Sequence, residues 1–546
     1  MRTGLFLIVA IVLILSSASR AGEEPLETKF RRLLVELDDP KFRVRERAAE
    51  EMARLPDEAR LLIEKALANP ATTPEVRQRL EMLSSMFAER ARRRTEADQR
   101  RSALRAWYRR NTAGVYAAAP HPASHGAVAK RLFDAFIESR VGGWRRHEHL
   151  QSALEAAEEI ERLEGADPLL QALAARVRLD MNAPSPEAAA RAAAAHANLV
   201  NISAPAIWRA QTPLVAAVHL ATSSEDLAAE RVAEIRRLLR SASPALREVF
   251  ADPDVPRQEI YAIFQWLGEA SLRSVGDRRL LANPEYLMLE QVSRDEGLMM
   301  GVRGLFNLAY ALDARETAER RKEGTLREIS EELFIDRSYS AVQSLQEALS
   351  ADPTDAHAAA ALMRAAALVD ADVIPADTFY QAIAARPDAI ELYETRLEAV
   401  ATSRAELLVL ADACLRTSDW ESGVPMVFID AHLQIALLDA QQLQRPQDHT
   451  AYRAYFEANP GLWDELDPLL SNMLRVHPDS RELRARYAIL AAWCGQWEIA
   501  DAQLRQLGEK QVPGVRAYLE GGSFTSLREQ IARHVAAPAT RPADRK

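Results

Sequence analysis

Four of the eleven histidines, His121, His125, His147 and His149, fall between residues 121 and 149, a gathering of imidazoles that raises the question of a metal. A zinc site needs three or four ligands converging at about 2 Å, and its helical form sets two histidines four residues apart on one face. His147-Glu148-His149 runs on into Leu150 and Gln151, so its two rings stand at i and i+2, about 200° apart around a helix. This spacing predicts surface histidines beside a linker, with no metal and no other cofactor.

A second chemical feature is cationic. Residues 89–110 hold nine arginines, and Arg90, Arg94, Arg101, Arg105 and Arg109 fall near one face of a helix, with Leu104 and Trp107 towards another. Such a stripe suits an anionic partner such as a lipid headgroup or an envelope polymer. The favoured reading is a solvated connecting helix, with Glu89, Glu96 and Asp98 as partial ion partners. Trp420 and His432 are the remaining binding candidates: an imidazole on a concave helical surface can meet a peptide carboxylate, and the competing expectation is a hydrogen-bonded core histidine beside a packed indole.

Nucleophile and phosphate chemistry lack their residues. No glycine-rich phosphate loop, Gly-x-Ser-x-Gly elbow, Ser-x-x-Lys pair or EF-hand loop is present. Cys414 and Cys494 are the only thiols, too few for a four-cysteine zinc site. They sit inside apolar helical patterns as two buried core residues, with one disulfide as the alternative in an oxidising compartment.

The elements that would carry these residues are helical. The 546 residues include only 20 Gly, while 48% are hydrophobic, and the dominance of Ala, Leu, Arg and Glu selects the residues that lose least on entering a helix. The formal net charge of −10 is spread over both signs, which argues against nucleic acid as a partner. At the N-terminus, Arg2, the eleven apolar residues from Leu5 to Leu15 and Ser19-Arg20-Ala21 have the layout of a secretory signal peptide cleaved near Ala21. Eleven residues rise only about 16 Å, short of the ~30 Å hydrocarbon core. An uncleaved anchor extended through Ser16 to Ala18 is the alternative, and no later stretch is apolar enough to span. The expected location is therefore exported, in the periplasm or cell envelope.

Behind the signal, Asp39-Pro40 starts a helix with Val44-Arg45 and Ala48, and Thr73-Pro74 starts another with Val76-Arg77 and Leu80, 32 residues later. This resembles HEAT-type helical hairpins. In the C-terminal third, Ala348 to Pro353 recurs as Ala382 to Pro387, with 34 residues between the prolines, the period of the tetratricopeptide (TPR) repeat. With each proline at repeat position 32, Phe379 and Ala382 take positions 24 and 27. After Pro478, Ala488, Gly495, Ala500 and Leu504 take positions 8, 15, 20 and 24, where small residues let helices approach and a bulky one fills the groove. Asp419 to Pro425, Asp430-Ala431-His432, Pro478-Asp479-Ser480 and Trp493 to Trp497 together resemble a group of bacterial exported proteins of unknown function that end in a TPR-like domain. That resemblance implies architecture and no activity.

The sequence thus predicts an all-α solenoid of helical hairpins, HEAT-like and then TPR-like. Its expected divisions are a signal peptide over 1–21, repeats and a basic helix over 22–110, a linker over 111–125, and a helical domain over 126–245. A helical region over 246–334, a TPR-like domain over 335–525, and a terminal helix end with a disordered tail over 526–546 follow. Stacked hairpins form a concave surface suited to docking a protein or peptide, so the expected function is non-enzymatic scaffolding. The alternatives are an envelope enzyme with a site between helical domains, favoured by a deep pocket with convergent His, Asp and Glu, and a protein that binds anionic lipid or polymer through the arginine-rich helix.

Overall fold

The structure is a computed structural model. It describes residues 25–536 apart from residues 54, 56–57, 118–122, 164, 202–203, 224–227, 276–286, 294, 321–323, 370–372, 418 and 509–511. The expected signal segment, His121 and the C-terminal tail from residue 537 lie outside the described residues. Among the described residues no strand occurs, and helices follow one another in packed consecutive pairs, an all-α solenoid of helical hairpins. No described helix is long and apolar enough to cross a membrane.

Two compact units divide at residues 96/97. The first contains α1 (Leu26–Glu36), α2 (Phe42–Ala53), α3 (Ala59–Leu67) and the start of α4 (Pro74–Asn111). Its core gathers Phe30, Leu33, Met52, Ile63, Leu80 and Phe87. The repeated Val-Arg pairs have a shared local role. Arg45 donates to the carbonyls of Asp39 and Pro40, and Arg77 to those of Leu67 and Asn69. Each guanidinium bonds carbonyl groups at a helix end or the turn that follows it.

The second unit continues with the rest of α4, then α5 (Ala113–Ala117), α6 (Ala123–Val141), α7 (Arg146–Glu161), α8 (Pro168–Asp180), α9 (Pro186–Asn201), α10 (Ala206–Thr222), α11 (Ala229–Ala251) and α12 (Arg257–Val275). The stretch expected to be a linker, residues 111–125, is in fact largely helical where described: α5 occupies its start and α6 begins at Ala123. Ala113, Val115 and Tyr116 pack on the core, which the Gly114 and proline signals concealed. That core runs from Trp107 to Val302 and so also crosses the expected boundary at residue 245.

Next come α13 (Glu296–Arg320) and α14 (Thr325–Ala351), a long pair packed closely because Gly304 has no side chain: a Cβ there would stand 2.4 Å from Leu345 Cγ. The C-terminal third holds α15 (Ala356–Leu368), α16 (Val373–Ala385), α17 (Ile390–Ala399), α18 (Arg404–Thr417), α19 (Val427–Gln442), α20 (His449–Ala458), α21 (Trp463–Val476), α22 (Arg481–Trp493), α23 (Trp497–Leu507) and α24 (Thr525–Ala536). Three of its turns are built alike. Asp355, Ala389 and Ser480 each donate their N–H to the carbonyl three residues back, on Asp352, Arg386 and His477, at 3.2, 3.2 and 3.1 Å. Each turn carries its proline at the second position, whose fixed φ suits a type I turn. Asp355 and Ser480 then cap the next helix through the N–H of Ala358 and Leu483.

Candidate functional site

A cleft of about 1010 Å³ opens inside the second unit, between the middle helices and the C-terminal hairpins. The second half of α4 lines it with Arg100, Arg101, Ala103, Leu104, Ala106, Trp107 and Arg110, which recur at helical spacing. The α6–α7 turn and the start of α12 supply one wall, and the two proline turns before α15 and α17 supply the other.

Charge is sorted between these surfaces. Lining residues up to Tyr261 include six arginines, Arg100, Arg101, Arg110, Arg140, Arg146 and Arg257, against Asp180 and Asp254. Lining residues from Asp352 onward include six carboxylates, Asp352, Asp355, Asp388, Glu391, Glu394 and Glu421, against Arg386. The two sides are therefore complementary, and ion pairs tie them together. Arg257 reaches Asp352 at 2.7 Å and Asp355 at 3.1 Å, and Tyr261 donates to Asp355 at 2.5 Å. Arg100 meets Asp388 at 2.7 Å, and Arg101 meets Asp419 at 3.7 Å. Arg386 and Arg100 outweigh the burial that opposes ionisation of Asp388 and hold its carboxyl below the usual range.

A second tie closes the end of the cleft. Trp144 donates its N–H to the Ser422 carbonyl at 3.2 Å, and its ring lies against Gly423. At Gly423 φ is +73°, and a Cβ would fall 1.8 Å from Trp144 Cδ1, so only glycine satisfies both the backbone and the contact. Ser480 donates to Glu148 at 3.0 Å, and His477 bonds the Trp420 carbonyl through Nε2 at 3.0 Å.

Behind the cationic wall lies a closed network. Glu259 is wholly buried and accepts from Tyr108, Arg140, Arg176 and Gln211. Burial works against its charge, but Arg176 and Arg140 with these hydrogen bonds prevail and keep it well below the ordinary carboxylate range. This fixes Arg140 at the cleft lining.

Five charged lining residues, Arg110, Arg146, Asp254, Glu394 and Glu421, are exposed and have no ion pair among the described residues, and of these Arg146 acts on the charge of Glu394. The Glu394 carboxyl is reachable by water but crowded by the concave walls. That crowding, with Asp430 and Glu391 nearby and Arg146 opposing, pushes it up to about 7.

The residues singled out from sequence are dispersed. Arg90 donates to the carbonyls of Ala53 and Leu55 and lies over the Phe87 ring. Arg94 is half-buried and engaged. Arg101 lines the cleft and pairs with Asp98 and Asp419, Arg105 grips Glu138 with both prongs at 2.9 Å, and Arg109 is exposed. His432 is only 3% exposed, bonds the Tyr455 hydroxyl at 2.8 Å, and is pushed down to about 4 by burial and then Arg404. Trp420 packs half-buried on the C-terminal core. Cys414 and Cys494 are buried free thiols, and burial pushes Cys494 up to about 12. His147 lines the cleft, His125 is buried, and no group of three or more His, Cys, Asp or Glu suited to a metal occurs among the described residues.

Sequence inspection missed Arg146 and Glu394, which stand 248 positions apart. The usable signal was the pair of proline turns at Pro353 and Pro387, which bring Asp352 and Asp388 to the cleft from the two sides of their prolines. No family model matches the chain, and no curated protein matches it.

Proposed function

We propose that this is an exported, non-enzymatic helical-repeat protein of HEAT-like and TPR-like hairpins that holds a segment of a partner protein in the cleft. One observation carries the proposal: a cleft of about 1010 Å³ with a cationic side and an anionic side, set on rigid helices. That volume is at the upper end for ligand pockets and accommodates several residues of an extended peptide. Opposed charges orient and select such a segment more than they tighten it. Export rests on the layout of residues 1–21.

The test is selection of a randomised peptide pool on the full chain and on variants that obstruct the cleft. Ala103 and Ala106 are exposed lining residues of α4, so Ala103→Trp and Ala106→Trp fill space without disturbing the core. Peptides enriched on the parent protein and lost on both variants support the proposal; peptides retained equally by all three refute it.

An envelope enzyme is the second reading, favoured by Glu394 near 7, the range in which a carboxyl transfers protons at neutral pH. It requires that bound ligand be converted, and that Glu394→Gln stop conversion while leaving binding in place. Attachment to an anionic lipid or polymer through the basic helix is less well supported, because Arg90, Arg101 and Arg105 are engaged within the protein.

A further inference from the structure

We infer that the cleft takes a zwitterionic segment, with an ammonium or guanidinium group set against Glu394 and a carboxylate set against Arg146. The inference rests on the cleft being the binding site and adds the chemistry of its occupant. Along the cleft, arginines of one side meet carboxylates of the other: Arg257 with Asp352 and Asp355, and Arg100 with Asp388. Between Arg146 and Glu394 the series is interrupted. Both line the cleft and Arg146 acts on the charge of Glu394, yet no ion pair joins them.

Arg146 is fixed at the first residue of α7, where its own N–H bonds Gly143 O, and Glu394 is fixed in the second turn of α17. A ligand with both charges completes the series from each side, whereas a purely anionic ligand leaves Glu394 opposing it and a purely cationic one leaves Arg146 opposing it. Glu394 is faced by Glu391 and Glu398 of its own helix, Asp430 of α19 and Arg146 across the cleft. Asp430 and Glu398 are themselves paired, with Arg486 and Arg364 at 3.4 Å each, and the neighbouring carboxylates still raise Glu394, which favours a cation at that point. Because Glu394 titrates at about 7, the cation binds better at pH 8 than at pH 6, and its binding releases a proton.

The probe is a pentapeptide with blocked ends carrying one lysine and one glutamate, compared by calorimetry with analogues in which either charge is neutralised. Triglycine with free ends distinguishes chain termini from side chains as the source of the charges. With the full chain at pH 8, neutralising either side chain weakens binding tenfold or more, about 1.4 kcal/mol. Glu394→Gln weakens the zwitterionic probe equally and leaves the lysine-neutralised analogue unchanged; Arg146→Gln does the converse. Tight triglycine binding with the same response to both variants assigns the charges to chain ends and upholds the inference. A zwitterionic probe that binds no better than its analogues, or that ignores both variants, overturns it. Peptides that are excluded by Ala103→Trp but indifferent to Glu394→Gln and Arg146→Gln would sink this inference alone. Peptides indifferent to Ala103→Trp as well would sink the binding site itself.

Discussion

Glu259→Gln is the most informative single change to the scaffold behind the cleft. The Glu259 carboxylate takes Arg176 Nη1 at 2.8 Å and Nη2 at 2.9 Å, Gln211 Nε2 at 2.6 Å and Arg140 Nη2 at 3.2 Å. An amide of the same shape keeps one acceptor oxygen and turns an NH₂ group towards donors, so it loses at least one charge-assisted bond and leaves the Arg176 charge only Asp180, at 3.9 Å. Removing one partner of a buried pair costs about 3–5 kcal/mol. Arg176 also lies over the rings of Phe136, Trp208 and Trp266, with centroids 5.0, 5.8 and 5.3 Å away, and these contacts shelter part of its charge. The expected loss is therefore nearer the lower end, about 3 kcal/mol. Urea unfolding followed by hydrogen exchange at residues 170–177 and 257–267 measures it. The sign with pH provides a second readout. Glu259 is depressed in the fold, so its stabilisation is present above the ordinary carboxylate range and is lost as pH falls below about 4.5. Glu259→Gln must flatten that slope. A cost below about 1 kcal/mol for Glu259→Gln, with the acid slope intact, would refute the assignment of this network as structural.

Gly423→Ala, which combines a left-handed backbone with a Cβ 1.8 Å from Trp144, should lower stability by about 2–3 kcal/mol and move the Trp144 indole, read by thermal unfolding and fluorescence. His432, held down near 4, stabilises the fold above about pH 6.5 and loses that contribution as pH falls to 4; His432→Leu should remove at most about 3 kcal/mol of this pH dependence in denaturation between those values. Glu394 has the opposite sign: raised to about 7, it favours the fold below about 4.5 and ceases to as pH rises through 7. Glu394→Gln should therefore stabilise at pH 8 and not at pH 4, by roughly 1 kcal/mol once water around this exposed group is allowed for, measured by urea midpoints.

Helix content and hairpin periodicity were legible because they depend on neighbours in sequence. The 32-residue return of Val-Arg and the 34-residue return of proline correspond to guanidinium-capped carbonyls and to identical turns. The fate of the arginines was not legible. Helical spacing puts Arg101 and Arg105 on α4, but Asp419 and Glu138 reach them only through tertiary packing. His432 shows the same limit, since its hydroxyl partner Tyr455 comes from another helix. Glycine and proline signals suggested a linker over 111–125, and apolar contacts made by Val115 and Tyr116 overrode them. The cleft itself arises where residues near 100, 146, 257, 352 and 394 converge, a juxtaposition with no local signature.

Hydrogen exchange of the full chain with and without a peptide enriched from the randomised pool tests the central claim most directly. The account predicts slowed exchange in residues 139–147 and 386–394, on opposite sides of the cleft, and no such slowing in Ala103→Trp. Protection confined to residues 25–96, or to faces remote from the cleft, would contradict it.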